Sequence, residues 1–518
     1  MTTATSAGKM ETGFISMFLN VARTTPDAPA LTLLDADYAE QTRWSYRDLL
    51  LLMERYRKVF VSLGVQPGDP VALQLPSGPE LIACVYALTS IGAIFAPVNP
   101  KPTRYELESI LSDLKPAAVV TTPQLVRDCL GALSAVQTWP RFVLLTGALP
   151  KHLHRPKGLH IVAETEIPAG GSPLEPPSGN PVVSCHHTFK GLGYPLGVPH
   201  RYHDYTPCIA AFMERFPEEH GAPFLVGLPL HLIYSLTAGL FSPFSVGSHV
   251  LLSQKPHELD LIGTLEQYQV QMACLVPLLL KMLAARARNR IRQGRRLQFH
   301  PLFKIASGGS LMDRALAAEV CSATGVEVYQ GYGLTETLPV LGTFPGRNKP
   351  GALGVPFSEV VEVAVFGQDG RAVSDGVAGE LCVRGPSVTE GFWRRPEETS
   401  SFLRDGWFHT GDLAFRDEEG YFHYLGRSYP FAKIASQMVD LVEVEATLRR
   451  NPAVARAMVT VTRHADRGEG LAASVILKPG SQATAKELKD TCKKFLSPHK
   501  VPREFMIYEN NVATVGAR

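Results

Sequence analysis

Apolar positions recur along this chain in two alternating rhythms. Short, nearly unbroken apolar runs at Val71-Ala72-Leu73-Gln74-Leu75, Ile94 to Val98 and Ala117 to Thr121 predict buried strands. Between them, Leu49 to Leu63, Glu80 to Ser90 and Arg104 to Leu114 carry helix-length patterns. Ser45 stands as the cap of the first of these helices, with Asp48 near its third position. Upstream, Met10 to Tyr38 predicts a helix and then a strand ending at Asp35-Ala36-Asp37. Strand and helix alternating at this spacing mean α/β architecture, with parallel sheets covered by helices on both faces. From Val360 the rhythm shortens to strands and turns, at Val361 to Phe366, Gly379 to Gly385 and Tyr421 to Arg427. It changes again past Arg427, with helix Leu441 to Asn451, strands Ala455 to Val461 and Ala473 to Lys478, and helix Ala485 to Leu496. The expected division is a large domain over residues 1–427, β-rich from about residue 345, and a small α+β domain over 428–518 hinged near Tyr429.

The chain has 518 residues, 45% hydrophobic and 19% charged, as a packed globular enzyme of more than one domain would. A net charge of +2 demands neither nucleic acid nor an acidic membrane as partner. The 8 cysteines are scattered without a Cys-x-x-Cys pair, which supports neither zinc nor a disulfide framework and points to a reducing, cytoplasmic setting. Met1 to Asn20 lacks the basic flank and apolar core of a signal peptide. The apolar stretch Leu81 to Val98 is broken by Thr89, Ser90, Gly92 and Pro97, so it reads as helix, turn and strand and no membrane span is expected.

Several stretches carry candidate chemistry. Val182 to Phe189 reads as a strand entering the glycine-rich turn Lys190-Gly191-Leu192-Gly193-Tyr194-Pro195-Leu196-Gly197-Val198. Such a turn can cradle phosphate with its amides, although Thr188 and Lys190 are the side chains present that suit an anion. Gly227 to Ser235 starts as a strand, and His231 within it is either a satisfied core histidine or a pocket residue. Arg286, Arg288, Arg290, Arg292, Arg295 and Arg296 do not fall on one helical face. They form a solvated helix end or a docking surface for an acidic or phosphorylated partner. Pro168 to Pro181 is a Gly/Pro/Ser-rich surface loop. Finally, Tyr329-Gln330-Gly331-Tyr332-Gly333-Leu334-Thr335-Glu336-Thr337 follows a strand-like run. Its glycines permit close approach to a flat ligand, Tyr332 offers a stacking face, Thr335 reaches phosphate and Glu336 can hold a hard cation.

These motifs together resemble the acyl-adenylating superfamily of acyl-CoA synthetases, adenylation domains and luciferases. Residues 329–337 resemble its adenine and magnesium motif; Gly379 to Gly385 with Gly391-Phe392-Trp393 resembles the next motif. Asp405 to Leu413 is similar to the segment whose aspartate, here Asp412, holds the ribose hydroxyls, and Gly426-Arg427 to the segment supplying the ribose-binding arginine. The resemblance implies two parallel-sheet subdomains plus a β-rich one, followed by a mobile small domain. It also implies a nucleotide site at Gly331, Tyr332, Gly333, Thr335, Glu336, Asp412 and Arg427, with Glu336 as metal ligand. An acyl pocket is implied at Gly308, Gly309, His231 and Gly331, and a pantetheine tunnel at Lys433 and Ser436.

The departures cluster where that family handles ATP. Its phosphate loop reads Thr-Ser-Gly-Thr-Thr-Gly-x-Pro-Lys-Gly-Val. Here Phe189, Lys190, Gly191, Leu192 and Leu196 replace its hydroxyls, a glycine and its lysine. Its C-terminal catalytic lysine aligns with Ala517, its hinge Asp or Lys with Tyr429, and its tunnel glycine with Ser436. A triphosphate would lose charge-assisted hydrogen bonds of about 1.5–3 kcal/mol each. The leading expectation is therefore an ATP-independent acyltransferase of secondary metabolism, as in priming a polyketide line. It would move an acyl group, aromatic by first expectation, from coenzyme A to the phosphopantetheine of an acyl carrier protein. His186, His187 and His231 are candidate bases for the thiol. Two alternatives stay open: an ATP- and Mg-dependent acyl-CoA or acyl-carrier ligase, and a non-catalytic binder of acyl thioesters.

Overall fold

The computed structural model describes residues 13–35, 40–167, 170–190, 192, 194–427, 431–434, 437–464 and 468–508. Tyr429, Ser436, Gly516 and Ala517 lie outside the described residues, as do Gly191, Gly193 and the side chain of Lys433.

Two large sheets organise the chain. The 7-stranded sheet runs His160–Ala163, Phe142–Leu145, Ala118–Thr121, Pro70–Gln74, Ile94–Pro97, Val182–Phe189 and Pro195–Arg201. Its pairings are parallel except the last, which is an antiparallel hairpin. The 9-stranded sheet is parallel from Pro29–Leu34 through His249–Ser253, Pro223–Val226, Met272–Leu275 and Lys304–Ser307 to Val328–Leu334, with antiparallel strands at both ends. A single core cluster joins Phe14, Phe18, Tyr46, Tyr86 and Phe241 between the sheets, which locks the two subdomains together. The β-rich part is a 5-stranded sheet that includes Gly379–Arg384, Trp407–Arg416 and Phe422–Arg427. The small domain packs helices Leu441–Leu448 and Ala485–Phe495 on a 3-stranded sheet, Val454–His464, Gly468–Leu477 and Glu504–Tyr508.

Local sequence explains most boundaries. The helix Tyr46–Ser62 starts in a full capping box, in which Ser45 accepts from the Asp48 amide and Asp48 accepts from the Ser45 amide. Helix Pro79–Ile91 stops at Gly92, whose φ of 79° is the left-handed C-cap glycine tolerates, and strand Ile94–Pro97 follows directly.

Some expectations need correction. The strand placed at Gly227 lies earlier, at Pro223–Val226. A Cβ on Gly227 would meet Leu275, Leu279 and the Cys274 carbonyl, so the chain there is a close crossing and not a strand. Glu40–Ser45 is an edge strand absent from the sequence reading. Helix Leu441–Leu448 ends before Asn451. The arginine run, by contrast, is the helix end it was read as: Arg286 to Arg292 close helix Pro277–Arg292, Arg295 and Arg296 follow it, and Arg288 and Arg290 are tied to Glu319 and Glu266.

Candidate active site

Where the two sheets meet the β-rich part and the small domain, a cavity of about 250 Å³ opens. Strand Val182–Phe189 and the next residue supply His186, His187, Thr188, Phe189 and Lys190 to its wall; the turn after Pro223–Val226 supplies Leu228 and His231 to Tyr234. Gly309 and the hairpin from Gly331 to Pro339 close the far side, Arg427 enters from the β-rich part, and His499 and Lys500 from the small domain. The expected nucleotide residues Gly331, Tyr332, Gly333, Thr335, Glu336 and Arg427 and the expected acyl residues Gly309, His231 and Gly331 line this one space, with Asp412 standing behind Tyr332 and Arg427. Gly308, also expected at the acyl pocket, is not in its wall and lies behind Tyr234.

Asp412 is wholly buried. It accepts a 2.6 Å hydrogen bond from the Tyr332 hydroxyl and faces Arg427 Nε at 2.6 Å. Burial, and then the Asp412 charge, drive the Tyr332 phenol well above its ordinary value, so it remains a donor. Gly333 is required, because a Cβ would lie 2.3 Å from the Leu338 carbonyl oxygen. Gly308 carries the Tyr234 ring, which a Cβ would meet at 2.8 Å. Gly331 has room, its nearest neighbour being the Ser307 carbonyl oxygen at 3.7 Å.

The three histidines separate. His186 is pushed down to about 3 by burial and by neighbouring His200, His187 and His231, which makes it a poor proton acceptor. His231 is pushed down to about 4 by burial. His187 Nε2 lies 3.4 Å from Asp113 Oδ2, long for a hydrogen bond, so the contact is chiefly electrostatic. Its Nδ1 is buried without a partner. Burial works to raise the Asp113 carboxyl, but His187 and the Arg395 guanidinium outweigh it and hold it below its ordinary value. Asp113 also accepts the Gly197 amide at 3.2 Å.

The most consequential pair joins the end of strand Val182–Phe189 to the 329–337 motif. Lys190 Nζ lies 2.8 Å from Glu336 Oε1, with side chains 3% and 1% exposed. The rings of Phe402 and Phe408 flank the ammonium at 5.7 and 5.2 Å. Glu336, expected as a metal ligand, therefore already faces a protein cation. Lys190 already neutralises that carboxylate through Oε1, so a divalent ion there would have to share it with a buried ammonium and bear the repulsion between the two cations.

Sequence reasoning did not place Asp113 or Lys500. Lys500 pairs with Glu106 at 2.7 Å and Glu443 at 2.9 Å. The run Ser497-Pro498-His499-Lys500-Val501-Pro502 offered a helix-stop signal and no chemical one.

Comparison with known proteins bears on this arrangement. The pattern described as "AMP-binding enzyme" matches residues 18–393, and "AMP-binding enzyme C-terminal domain" matches 443–514. The chain belongs to the AMP-binding enzyme family. Among its relatives, a long-chain-fatty-acid–CoA ligase of Bacillus subtilis is 28% identical over 472 residues, 85% of this chain and 82% of the relative. A feruloyl-CoA synthase of Streptomyces sp is 29% identical over 482 residues, 92% of each. The same fold appears in the amide bond synthetase McbA of Marinactinospora thermotolerans, at TM-score 0.80 and 22% identity over 96% of this chain and 95% of that one. As an AMP-binding enzyme the chain is of the acid–CoA ligase type, with the large α/β domain and small C-terminal domain of that family. No helix among the described residues is long and apolar enough to cross a membrane.

Proposed function

We propose that this protein transfers an acyl group from coenzyme A to the phosphopantetheine thiol of an acyl carrier protein without using ATP. The observation that carries the reading is the buried Lys190–Glu336 pair at 2.8 Å, which puts a protein cation where metal-assisted adenylation needs a free carboxylate. Phe189, Leu192 and Leu196 remove the polar groups a triphosphate would require. A thioester is already activated, so exchange between thiols asks for no phosphate chemistry. The incoming thiol gives its proton to a base and its sulfur attacks the acyl carbon, forming a C–S bond. The tetrahedral intermediate then collapses, breaking the bond to the coenzyme A sulfur, which takes the proton back.

His187 is the base on this reading. It lines the cavity, and the Asp113 carboxylate against Nε2 stabilises the imidazolium formed when Nδ1 takes the proton. Tyr332 and Arg427, anchored on Asp412, bind the polar end of the thioester. Leu228, Leu232, Ile233 and Tyr234 offer an apolar wall for the acyl group. A relative named feruloyl-CoA synthase supports an aromatic acyl group. Glu336 then serves as counter-charge to Lys190, and Lys433 and Ser436 remain the proposed pantetheine path. A carrier partner, a role in polyketide or other secondary metabolism, a cytoplasmic location and a division near residue 427 belong to the same proposal.

The deciding experiment mixes purified protein, acyl-CoA and phosphopantetheinylated carrier without ATP and follows carrier mass. Loading is expected with aromatic acyl-CoA. No loading across aromatic and fatty acyl-CoAs would overturn the reading. The second reading is an ATP-dependent acid–thiol ligase, favoured by the CoA-ligase names of the relatives. Pyrophosphate release that requires both acid and ATP would establish it instead.

A further inference from the structure

Where the small domain meets the large one, a buried ammonium stands between carboxylates of both. Lys500, in the turn Pro498–Lys500, has a side chain 3% exposed and sits between Glu106 of helix Arg104–Leu114 and Glu443 of helix Leu441–Leu448. Ser497 donates to the same Glu106 carboxylate. The ammonium also lies 4.0 Å from the centroid of the Phe189 ring. Phe189 ends strand Val182–Phe189, next to Lys190, and both Phe189 and Lys500 line the cavity. A desolvated ammonium over an aromatic face gains electrostatically from the ring quadrupole, a gain that an aliphatic side chain of similar size does not give.

We infer that Phe189 is a positioning residue whose ring seats Lys500 and so holds the small domain over the cavity mouth. A serine at this position, which the acyl-adenylating resemblance gives, would leave that side of the ammonium without a partner. The ring links the strand that carries His187 to the turn that carries Lys500, so the wall around the reacting thiol and the docked domain are fixed together. The consequence for catalysis rests on the thiol-exchange reading, in which a single domain orientation suffices for the whole reaction. The contact itself stands apart from that reading.

The test uses the full chain without substrate and measures amide hydrogen exchange at Thr103 to Glu106 and at Ser497 to Val501. Phe189→Leu keeps apolar bulk and removes the ring; it is expected to raise exchange at both segments about tenfold, within the range of a buried cation–π contact. Phe189→Trp and Phe189→Tyr are expected to hold exchange at or below the wild-type rate. In a Lys500→Met background Phe189→Leu should add nothing, which ties the effect to the ammonium. Exchange in Phe189→Leu equal to wild type, or Phe189→Trp behaving like Phe189→Leu, would overturn the inference. If Phe189→Leu does not fold, Phe189→Trp and Phe189→Tyr still decide it: exchange raised above wild type at both segments in either would overturn the inference. With carrier as variable substrate, Phe189→Leu should raise KM several-fold while retaining kcat, and Phe189→Trp should restore KM. Absence of transfer in the wild type would overturn the proposed function and leave the exchange comparison to judge the contact.

Discussion

Replacing Lys190 by alanine would leave the Glu336 carboxylate, 1% exposed, without its counter-charge. Breaking one side of a buried pair costs about 3–5 kcal/mol, so K190A should unfold at clearly lower denaturant, and K190A/E336Q should recover most of the loss. Equilibrium denaturation of the two variants checks this; equal stability of K190A and wild type would mean the pair is not formed. His187 carries a different expectation. H187A should lower transfer by about 10²–10⁴-fold with little change in KM, as the loss of a general base does. H186A should cost far less, because His186 is pushed down to about 3 and does not take up a proton near neutrality. Legibility differs among these residues for a physical reason. Tyr332, Glu336, Asp412 and Arg427 could be named from sequence because each lies inside a contiguous motif. Asp113 and the role of Lys190 could not, since each acts through a partner on a distant segment, His187 and Glu336 respectively.

At the level of elements, helix Arg104–Leu114 was readable from its helix-length pattern, yet its use as a docking surface was not. Glu106 closes its own helix by accepting the Thr103 amide at 2.9 Å and also receives Lys500 from the other domain. Edge strand Glu40–Ser45 was missed because Glu40-Gln41-Thr42-Arg43 is polar, and a strand at the sheet margin needs little apolar patterning. The docking elements also carry a pH dependence. Lys500 faces two carboxylates with one charge. Burial works to raise Glu106, but the Lys500 charge keeps it below its ordinary value; burial and the Glu106 charge push Glu443 up to about 7. A carboxyl raised in the folded state adds stability that is complete below its unfolded value near 4.5 and is lost as pH rises through about 7. Glu218, also raised to about 7 by burial, contributes with the same sign. The Glu443 and Glu218 protons should each lower the unfolding free energy between about pH 4.5 and pH 7 by up to about 1.4 kcal/mol per pH unit, while His186 and His231, pushed down by burial, contribute with the opposite sign below about pH 6.5. E443Q should remove its share of that slope while leaving the Glu218 share; an unchanged slope would show that Glu443 is ionised throughout.

For the molecule as a whole, the alternation of strand and helix made two helix-covered sheets and a smaller final domain legible, because each depends on local periodicity. What the sequence could not show is that the small domain's Lys500 joins Gly331 and Arg427 at one cavity, to which three separate units contribute. That convergence makes ligand-linked stability a test of the entire assembly. A ligand that spans the acyl wall and the Lys500 end binds the folded arrangement alone, so it stabilises by about 2.7 kcal/mol at a hundredfold excess over Kd. For a chain of 518 residues the entropy of unfolding turns this into a rise in Tm of about 2–3 °C. An acyl-CoA, or a nonhydrolysable thioether analogue of one, should give that rise. Millimolar magnesium with ATP should give none, because Lys190 already occupies the Glu336 carboxylate and Leu196 offers the triphosphate no charge. K190A should not gain a full response to ATP either, since restoring a free carboxylate leaves Phe189 and Leu196 in place. A wild-type Tm raised by magnesium–ATP and indifferent to acyl-CoA would reverse the argument. The Lys190–Glu336 pair would then have to open on binding, and the ligase reading would replace transfer.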